Sequence, residues 1–130
     1  MSDRHPFEYA LLRIVPRIER GEAINGGVLV YCRSLEYLGA AVRLDRARLR
    51  ALDPGVDIEH VEAALRAIAD TCGDQGAAPA AAEDIGRRFR WLTAPRSTVV
   101  QAGPVHTGLT SDPAAETERL LRLLVLPVSG

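Results

Sequence analysis

Alternating apolar and polar positions predict three β-strands in the first third of the chain. Residues 7–15 alternate with both faces largely apolar, which is typical of a central strand, and Pro16 ends it. Residues 27–33 and 37–44 are rich in β-branched and aromatic side chains and predict the second and third strands. Because the connections are short, we expect the three strands to form an antiparallel meander.

Helical periodicity replaces the alternation after the third strand. Asp45 begins a short helix that stops before Pro54, and Asp57 is placed to cap a longer one. The longer helix has one apolar face, because its apolar residues are spaced by three and four positions. These residues are Ile58, Val61, Leu65, Ile68 and Cys72.

The pattern is less regular in the second half. Residues 73–82 form a link rich in glycine, alanine and proline, residues 83–92 predict a helix, and residues 97–101 predict a short strand. A loop bracketed by Gly103-Pro104 and Thr107-Gly108 carries His106. Asp112 and Pro113 begin a last helix, whose buried stripe is Thr117, Leu120, Leu121 and Leu124.

Together these elements predict an α+β fold. The expected sheet is antiparallel, with the three-strand N-terminal meander plus a short later strand, and it packs against about three to four helices. The 130 residues, of which 47% are hydrophobic and 25% charged, suit a single domain over residues 1–130.

Composition excludes several classes of function. A net charge of −1 does not indicate the strongly basic surface that general nucleic-acid binding needs. All 16 basic residues are arginine, so no lysine is present to form a Schiff base or to serve a phosphate-binding loop.

The two cysteines and the hydropathy indicate a cytoplasmic protein. Cys32 ends an apolar run and Cys72 lies on an apolar helix face. We therefore expect both to be buried free thiols in a reducing compartment. We expect no membrane span, because no run approaches about 20 apolar residues, and the polar N-terminus has no signal-peptide pattern.

Two blocks of sequence carry a family resemblance. Residues 9–17 with 20–30 form the first block, and residues 89–101 with 104–108 form the second. Together they resemble the bacterial family of domain of unknown function 3037. The resemblance implies no particular reaction, but it suggests a kinase of the HipA type as a protein partner. Gly26 departs from the bulkier residue expected there, which predicts a looser start to the second strand.

Arg96, Ser97 and Thr98 form the first candidate site. A guanidinium with neighbouring hydroxyls and backbone N–H groups can cradle an anion such as phosphate or a nucleotide. The structural alternative is that Arg96 caps carbonyl groups or pairs with a carboxylate such as Glu22. Arg13 belongs with this set, because it lies on an otherwise apolar strand face and needs a partner there.

His106 is a weaker catalytic candidate. It could act as a base for Ser97 or Thr98, but no nucleophile elbow or third triad member is present, so a hydrogen-bonded loop histidine is the default. The histidines and cysteines show no ligand spacing, so we expect neither a metal nor another cofactor.

Two groups of polar residues have a structural interpretation as well as a functional one. Asn25, followed by two glycines, suits a tight turn, with Glu22 as a second candidate partner for the arginines of the later block. The arginines at 87, 88 and 90 beside Phe89 and Trp91 suggest stacking on single-stranded nucleic acid. The preferred interpretation is that the arginines form a solvated face and the aromatic rings lie in the core.

Two hypotheses for function result. The first is an accessory or protein-interaction module, supported by the lack of a recognisable catalytic set, which favours a non-enzymatic role. The second is a domain that binds a small molecule or anion and includes the possibility of an enzyme. It requires the two resembling blocks to meet in space. Its candidate residues are Arg13, Glu22, Asn25, Arg96, Ser97, Thr98 and His106.

Overall fold

The computed structural model describes residues 3–73 and 84–128, and all of the predicted link at 73–82 except Gly73 lies outside these ranges. Within them, five strands and four helices follow one another. They are β1 (His5–Ile14), β2 (Ile24–Cys32), β3 (Tyr37–Val42), α1 (Arg46–Leu52), α2 (Ile58–Cys72), α3 (Ile85–Thr93), β4 (Val100–Ala102), β5 (His106–Thr110) and α4 (Pro113–Leu124). The predicted α+β class is confirmed, and the later strand is two short segments rather than one.

The sheet is antiparallel and has β1 at its centre. Its order is β3-β2-β1-β4, and β5 also pairs with β1, so β4 and β5 share one edge of that strand. Leu12 lies opposite Ala102 and Tyr9 opposite His106, which leaves one extra residue on the β4–β5 side. His106 therefore begins a strand, and its prediction in a loop was wrong.

A bulge in β2 explains Gly26. Leu12 lies opposite Gly27 and Arg13 opposite Asn25, so Gly26 is the unpaired residue. A Cβ at this position would lie 2.5 Å from Cδ1 of the buried Ile14. Ile14 occupies the space that a side chain would need, so the glycine permits close packing instead of loosening the start of β2.

Both faces of the sheet are covered by helices. Helices α1, α2 and α3 cover one face, where Leu12, Leu65 and Phe89 are buried in the same cluster. Helix α4 covers the other face over β2 and β3, with Leu120 and Leu121 against the strands. The predicted covering roles of α2 and α4 are therefore correct.

Each helix begins at an aspartate. The carboxylate accepts a hydrogen bond from the backbone N–H three residues later, which satisfies one of the free N–H groups of the first turn. Three of the four caps were predicted, and the one at α3 was not. The capping residues are Asp45, Asp57, Asp84 and Asp112.

The two cysteines are free and buried, as predicted. Leu124 is not part of the buried stripe of α4, since it is exposed, whereas Thr117, Leu120 and Leu121 are buried. Within residues 3–73 and 84–128, no helix has the length and apolar character needed to cross a bilayer.

Candidate functional site

An apolar cleft of about 510 Å³ opens beside the second resembling block. It lies between α2, the end of α3, the α3–β4 connection and β4. Leu12, Leu92 and Val100 are buried residues at its base, and Ala64 and Ile68 of α2 line one wall. We call this feature the apolar cleft.

Two large apolar side chains at the apolar cleft are exposed. Trp91 is 40% exposed and Ile18, from the β1–β2 connection, is 54% exposed. The prediction that Trp91 belongs to the core was therefore wrong. Phe89 is fully buried and takes that role, with its ring centroid 5.2 Å from that of Tyr31.

Arg96 joins the end of α3 to the wall of the cleft. Its Nη2 donates to the carbonyl oxygen of Trp91 at 2.5 Å, and its Nη1 to that of Leu92 at 3.5 Å. Its Cζ lies 4.3 Å from the centroid of the Trp91 ring. Arg96 therefore caps carbonyl groups, which was the structural alternative. A cation at a helix C-terminus is also favoured by the helix dipole.

The hydroxyls after Arg96 differ in their availability. Thr98 Oγ1 donates to the carbonyl oxygen of Val100 at 2.7 Å, which uses its only proton. Gln101 Nε2 in turn donates to the carbonyl of Thr98 at 2.8 Å. Ser97 is exposed at the cleft. The connection is thus held by its own hydrogen bonds, and the Ser97 hydroxyl is the one placed to meet a ligand.

The described charge of the cleft wall is positive. Arg96 is the arginine of this wall and His60 of α2 also lines it, whereas no aspartate or glutamate is among the described residues that line it. An anionic or neutral acceptor group would meet no opposing carboxylate there. His60 and Gln101 were not predicted as site residues, and no spacing in the sequence indicated them.

His106 lies apart from the apolar cleft. Its ring is exposed and its centroid is 5.2 Å from that of Tyr9, on the neighbouring strand β1. It does not line the cleft that holds Ser97 and Thr98. The geometry therefore gives the serine and threonine no base from His106.

Three other candidate residues have local explanations. Glu22 pairs with Arg20 rather than with an arginine of the second block. Asn25 lies within β2 and not in the predicted tight turn, and its Nδ2 donates to the carbonyl oxygen of Leu124 at 2.9 Å, which ties β2 to α4. Arg13 is solvent-exposed on β1, opposite Gln101, so it does not need the partner that a buried arginine would require.

The two resembling blocks do meet, but through the backbone. Strand β4 of the second block pairs with β1 of the first, and Gly103 N donates to the carbonyl oxygen of Leu11 at 2.8 Å. The side chains of Glu22 and Asn25 make their contacts elsewhere. The predicted set of seven residues is therefore split, and Arg96, Ser97 and Thr98 are the three that line the cleft.

The predicted solvated arginine face holds only in part. Arg88 is buried, and its Nη1 donates to the carbonyl oxygen of Cys72 at 2.8 Å, which joins α3 to the end of α2. Arg90 is exposed and pairs with Glu8 of β1 at 2.8 Å. These arginines hold α3 against the rest of the fold.

Ionisation is perturbed at two places outside the cleft. The hydrogen bond and charge of Arg20 lower the pKa of Glu22, and both side chains are solvent-exposed. Burial raises the pKa of the Cys72 thiol to about 12, against a smaller opposing effect of Arg88. Cys72 is therefore a protonated, unreactive thiol at neutral pH.

Within the described ranges, no group of three or more histidine, cysteine, aspartate or glutamate side chains is arranged to hold a metal ion. The fold and the cleft together define a small α+β domain with an apolar cleft open to solvent.

The chain belongs to the family described as protein of unknown function (DUF3037), which it matches over residues 9–125. No curated protein and no solved structure matches the chain.

Proposed function

We propose that this domain binds a small amphipathic molecule in the apolar cleft. The apolar body of the ligand lies against Trp91, Ile68 and Val100, and an anionic or neutral polar end lies near Arg96 and Ser97. The observation that carries the proposal is the open cleft of about 510 Å³ with Trp91 and Ile18 exposed at its wall.

Size and chemistry favour a small ligand. Clefts of about 300–1,000 Å³, lined mainly by apolar groups with a few polar ones, are typical of small-molecule sites. Exposed aromatic and aliphatic side chains beside such a cleft lose unfavourable contact with water when a ligand covers them. Each contributes in proportion to the apolar area removed from water, about 25 cal/mol per Å².

The polar end of the ligand is argued from charge. Arg96 supplies a positive charge, and the residues of the wall that the structure describes include no carboxylate. Two of the guanidinium nitrogens already donate to carbonyl groups, so a bare phosphate would compete with these bonds. An anion attached to an apolar body fits better, because apolar contact provides most of the affinity and Arg96 adds a partly screened attraction.

The proposal is one of binding rather than catalysis. His106 lies in β5 against Tyr9, and the Thr98 hydroxyl donates to Val100, so the pairing of His106 with Ser97 or Thr98 that the sequence suggested is not formed.

A second candidate function is that of an accessory module for a protein partner, for which the family resemblance suggests a HipA-like kinase. The exposed Ile18 favours it, because a partner's apolar side chain would cover Ile18 and Trp91 together. Isothermal titration of the purified domain with such a kinase tests it. Binding that Ile18→Asp weakens supports this candidate, and absence of binding removes it.

Fluorescence tests ligand binding directly. Trp91 is the single tryptophan, so its emission reports on the cleft. The probes are anilinonaphthalene sulfonate, an apolar aromatic with a sulfonate, and phenylnaphthylamine, the same rings without the charge. We expect both probes to quench Trp91, and the anionic probe to bind more tightly.

Matched variants separate cleft binding from adsorption elsewhere. Ala67 and Ala63 are both exposed on α2, but only Ala67 lines the cleft. Ala67→Phe should weaken both probes about tenfold, whereas Ala63→Phe should leave them unchanged. Arg96→Gln should weaken the anionic probe about fivefold more than the neutral one, a difference equivalent to about 1 kcal/mol. Equal binding to the two phenylalanine variants rules out the cleft as the site.

A further inference from the structure

Strand β5 forms an open edge of the sheet. It pairs with β1 on one side, and no strand among residues 3–73 and 84–128 lies on its other side. No described helix packs substantially across it, whereas the opposite edge strand, β3, is flanked by α2 and α4. An exposed edge presents unpaired N–H and C=O groups that can pair with another strand.

The register shows which backbone groups of β5 point outward. Gly103 N donates to Leu11 O, and Val15 N donates to Val99 O, so the odd-numbered residues of β1 direct their backbone groups towards this edge. Because Phe7 lies opposite Gly108, these two residues form a hydrogen-bonded pair. Thr107 and Leu109 alternate with Gly108 and therefore direct their N–H and C=O groups away from β1.

The outward side of β5 lacks the usual protection of an edge strand. Edges are commonly blocked by charges, prolines or bulges. Here the chain has no formal charge between Arg96 and Asp112. Pro104 and the extra residue of the β4–β5 side lie before β5 rather than within it. Leu109 is 52% exposed on this strand.

The strand is also complementary to itself. In an antiparallel pair of two copies centred on Gly108, Thr107 of each copy lies opposite Leu109 of the other. Each such pair exchanges two backbone hydrogen bonds, four in all, and Gly108 meets Gly108 at the narrow pair between them. Glycine leaves this close approach free of side chains, and no like charges oppose each other.

We propose that the domain forms a homodimer in which β5 pairs antiparallel with β5 of a second copy, about a two-fold axis at Gly108. The two five-stranded sheets then become one continuous sheet, and Leu109 packs against Thr107 of the second copy. A strand of five residues buries less area than a standard interface, so the dimer is weak, with a dissociation constant on the order of 10 µM to 1 mM.

Sedimentation equilibrium and amide hydrogen exchange by NMR test the dimer in the wild-type protein. As the concentration rises from about 10 µM to 1 mM, the weight-average mass should rise towards twice the 14.1 kDa of one chain. The amides of Thr107 and Leu109 should become protected over the same range. The amide of Gly108, which bonds to β1, should be protected throughout.

Three variants locate the interface. Leu109→Lys places a charge on the edge, and Thr107→Pro removes an outward N–H without removing a bond to β1. Both should stay monomeric with an unchanged circular dichroism spectrum. Leu123→Lys, at a 61% exposed leucine of α4, is the control and should dimerise like the wild type.

Several results would overturn the proposal. One is a wild-type protein that stays monomeric at the highest concentration. Another is a dimer that tolerates both edge variants, or one in which the outward amides exchange at a rate independent of concentration. If a variant fails to fold, the amide measurements on the wild type still decide the question.

Discussion

The guanidinium of Arg96 lies over the indole ring of Trp91, with Cζ 4.3 Å from the ring centroid, and it donates to the Trp91 carbonyl oxygen at 2.5 Å. One side chain therefore ends α3 and fixes the exposed ring beside the apolar cleft. The predicted anion ligand and the predicted carbonyl cap are the same residue, and the structure shows the capping contacts.

Removal of the Arg96 side chain should loosen both the end of α3 and the Trp91 ring. We expect Arg96→Ala to lower the free energy of unfolding by about 1–2 kcal/mol, from lost hydrogen bonds and the cation–π contact. Trp91 emission should shift to longer wavelength as the ring becomes more hydrated. Urea denaturation followed by fluorescence measures both effects. Arg122→Ala, at an exposed position of α4, is the control. A blue shift of the emission would contradict this account of the ring.

Leu65 tests the packing of α2 on the sheet. It is 3% exposed within the cluster that contains Leu12 and Phe89. Leu65→Ala should destabilise the fold by about 2–5 kcal/mol, because it leaves a cavity that neighbours fill incompletely. Chemical denaturation gives the value, and Leu123→Ala on the surface should cost under about 0.5 kcal/mol. A loss that small at Leu65 would mean that α2 does not cover the core.

Gly26 and Ile14 should be energetically coupled. Gly26→Ala brings a methyl group into the space of Ile14 Cδ1, so we expect a loss of about 1–3 kcal/mol from overpacking. Ile14→Val removes Cδ1 and should recover part of that loss in the double variant. A double-mutant cycle measured by denaturation gives the coupling. Additive effects of the two substitutions would show that the clash is relieved elsewhere.

The thiols should react slowly in the folded protein. Both Cys32 and Cys72 are buried, and burial raises the pKa of Cys72 to about 12 from its ordinary value of 9.0. Alkylation by iodoacetamide at pH 8, followed by mass spectrometry, should be slow without denaturant and fast in guanidinium chloride. Rapid labelling of Cys72 in the native state would contradict its burial.

The raised pKa of Cys72 also predicts that the fold loses stability at high pH. The folded state holds the Cys72 proton more tightly than the unfolded state. The stability that this protonated thiol contributes is therefore fully present below pH 9 and is lost as the pH rises towards 12. The slope from one such group is at most about 1.4 kcal/mol per pH unit. Thermal unfolding from pH 8 to 10.5 measures it, and Cys72→Ala should show a shallower fall.

Elements with local signals could be predicted from the order of residues. The apolar spacing of Ile58 to Cys72 reproduces α2, and the aspartates at 45, 57 and 112 cap the helices that they were expected to cap. The alternation along β1 indicated a strand packed on both faces, which the two core clusters confirm. These features depend on side chains within a few positions of one another.

Which residues share a site depends on long-range packing, which the local pattern does not contain. Trp91 is exposed because Phe89, two residues earlier on α3, faces the sheet in its place. His106 joins a strand because β1 offers an unpaired edge, and a short segment with Gly and Thr carries little strand signal of its own. The apolar cleft exists because α2 presents small alanines towards β4, a long-range arrangement that local periodicity does not encode.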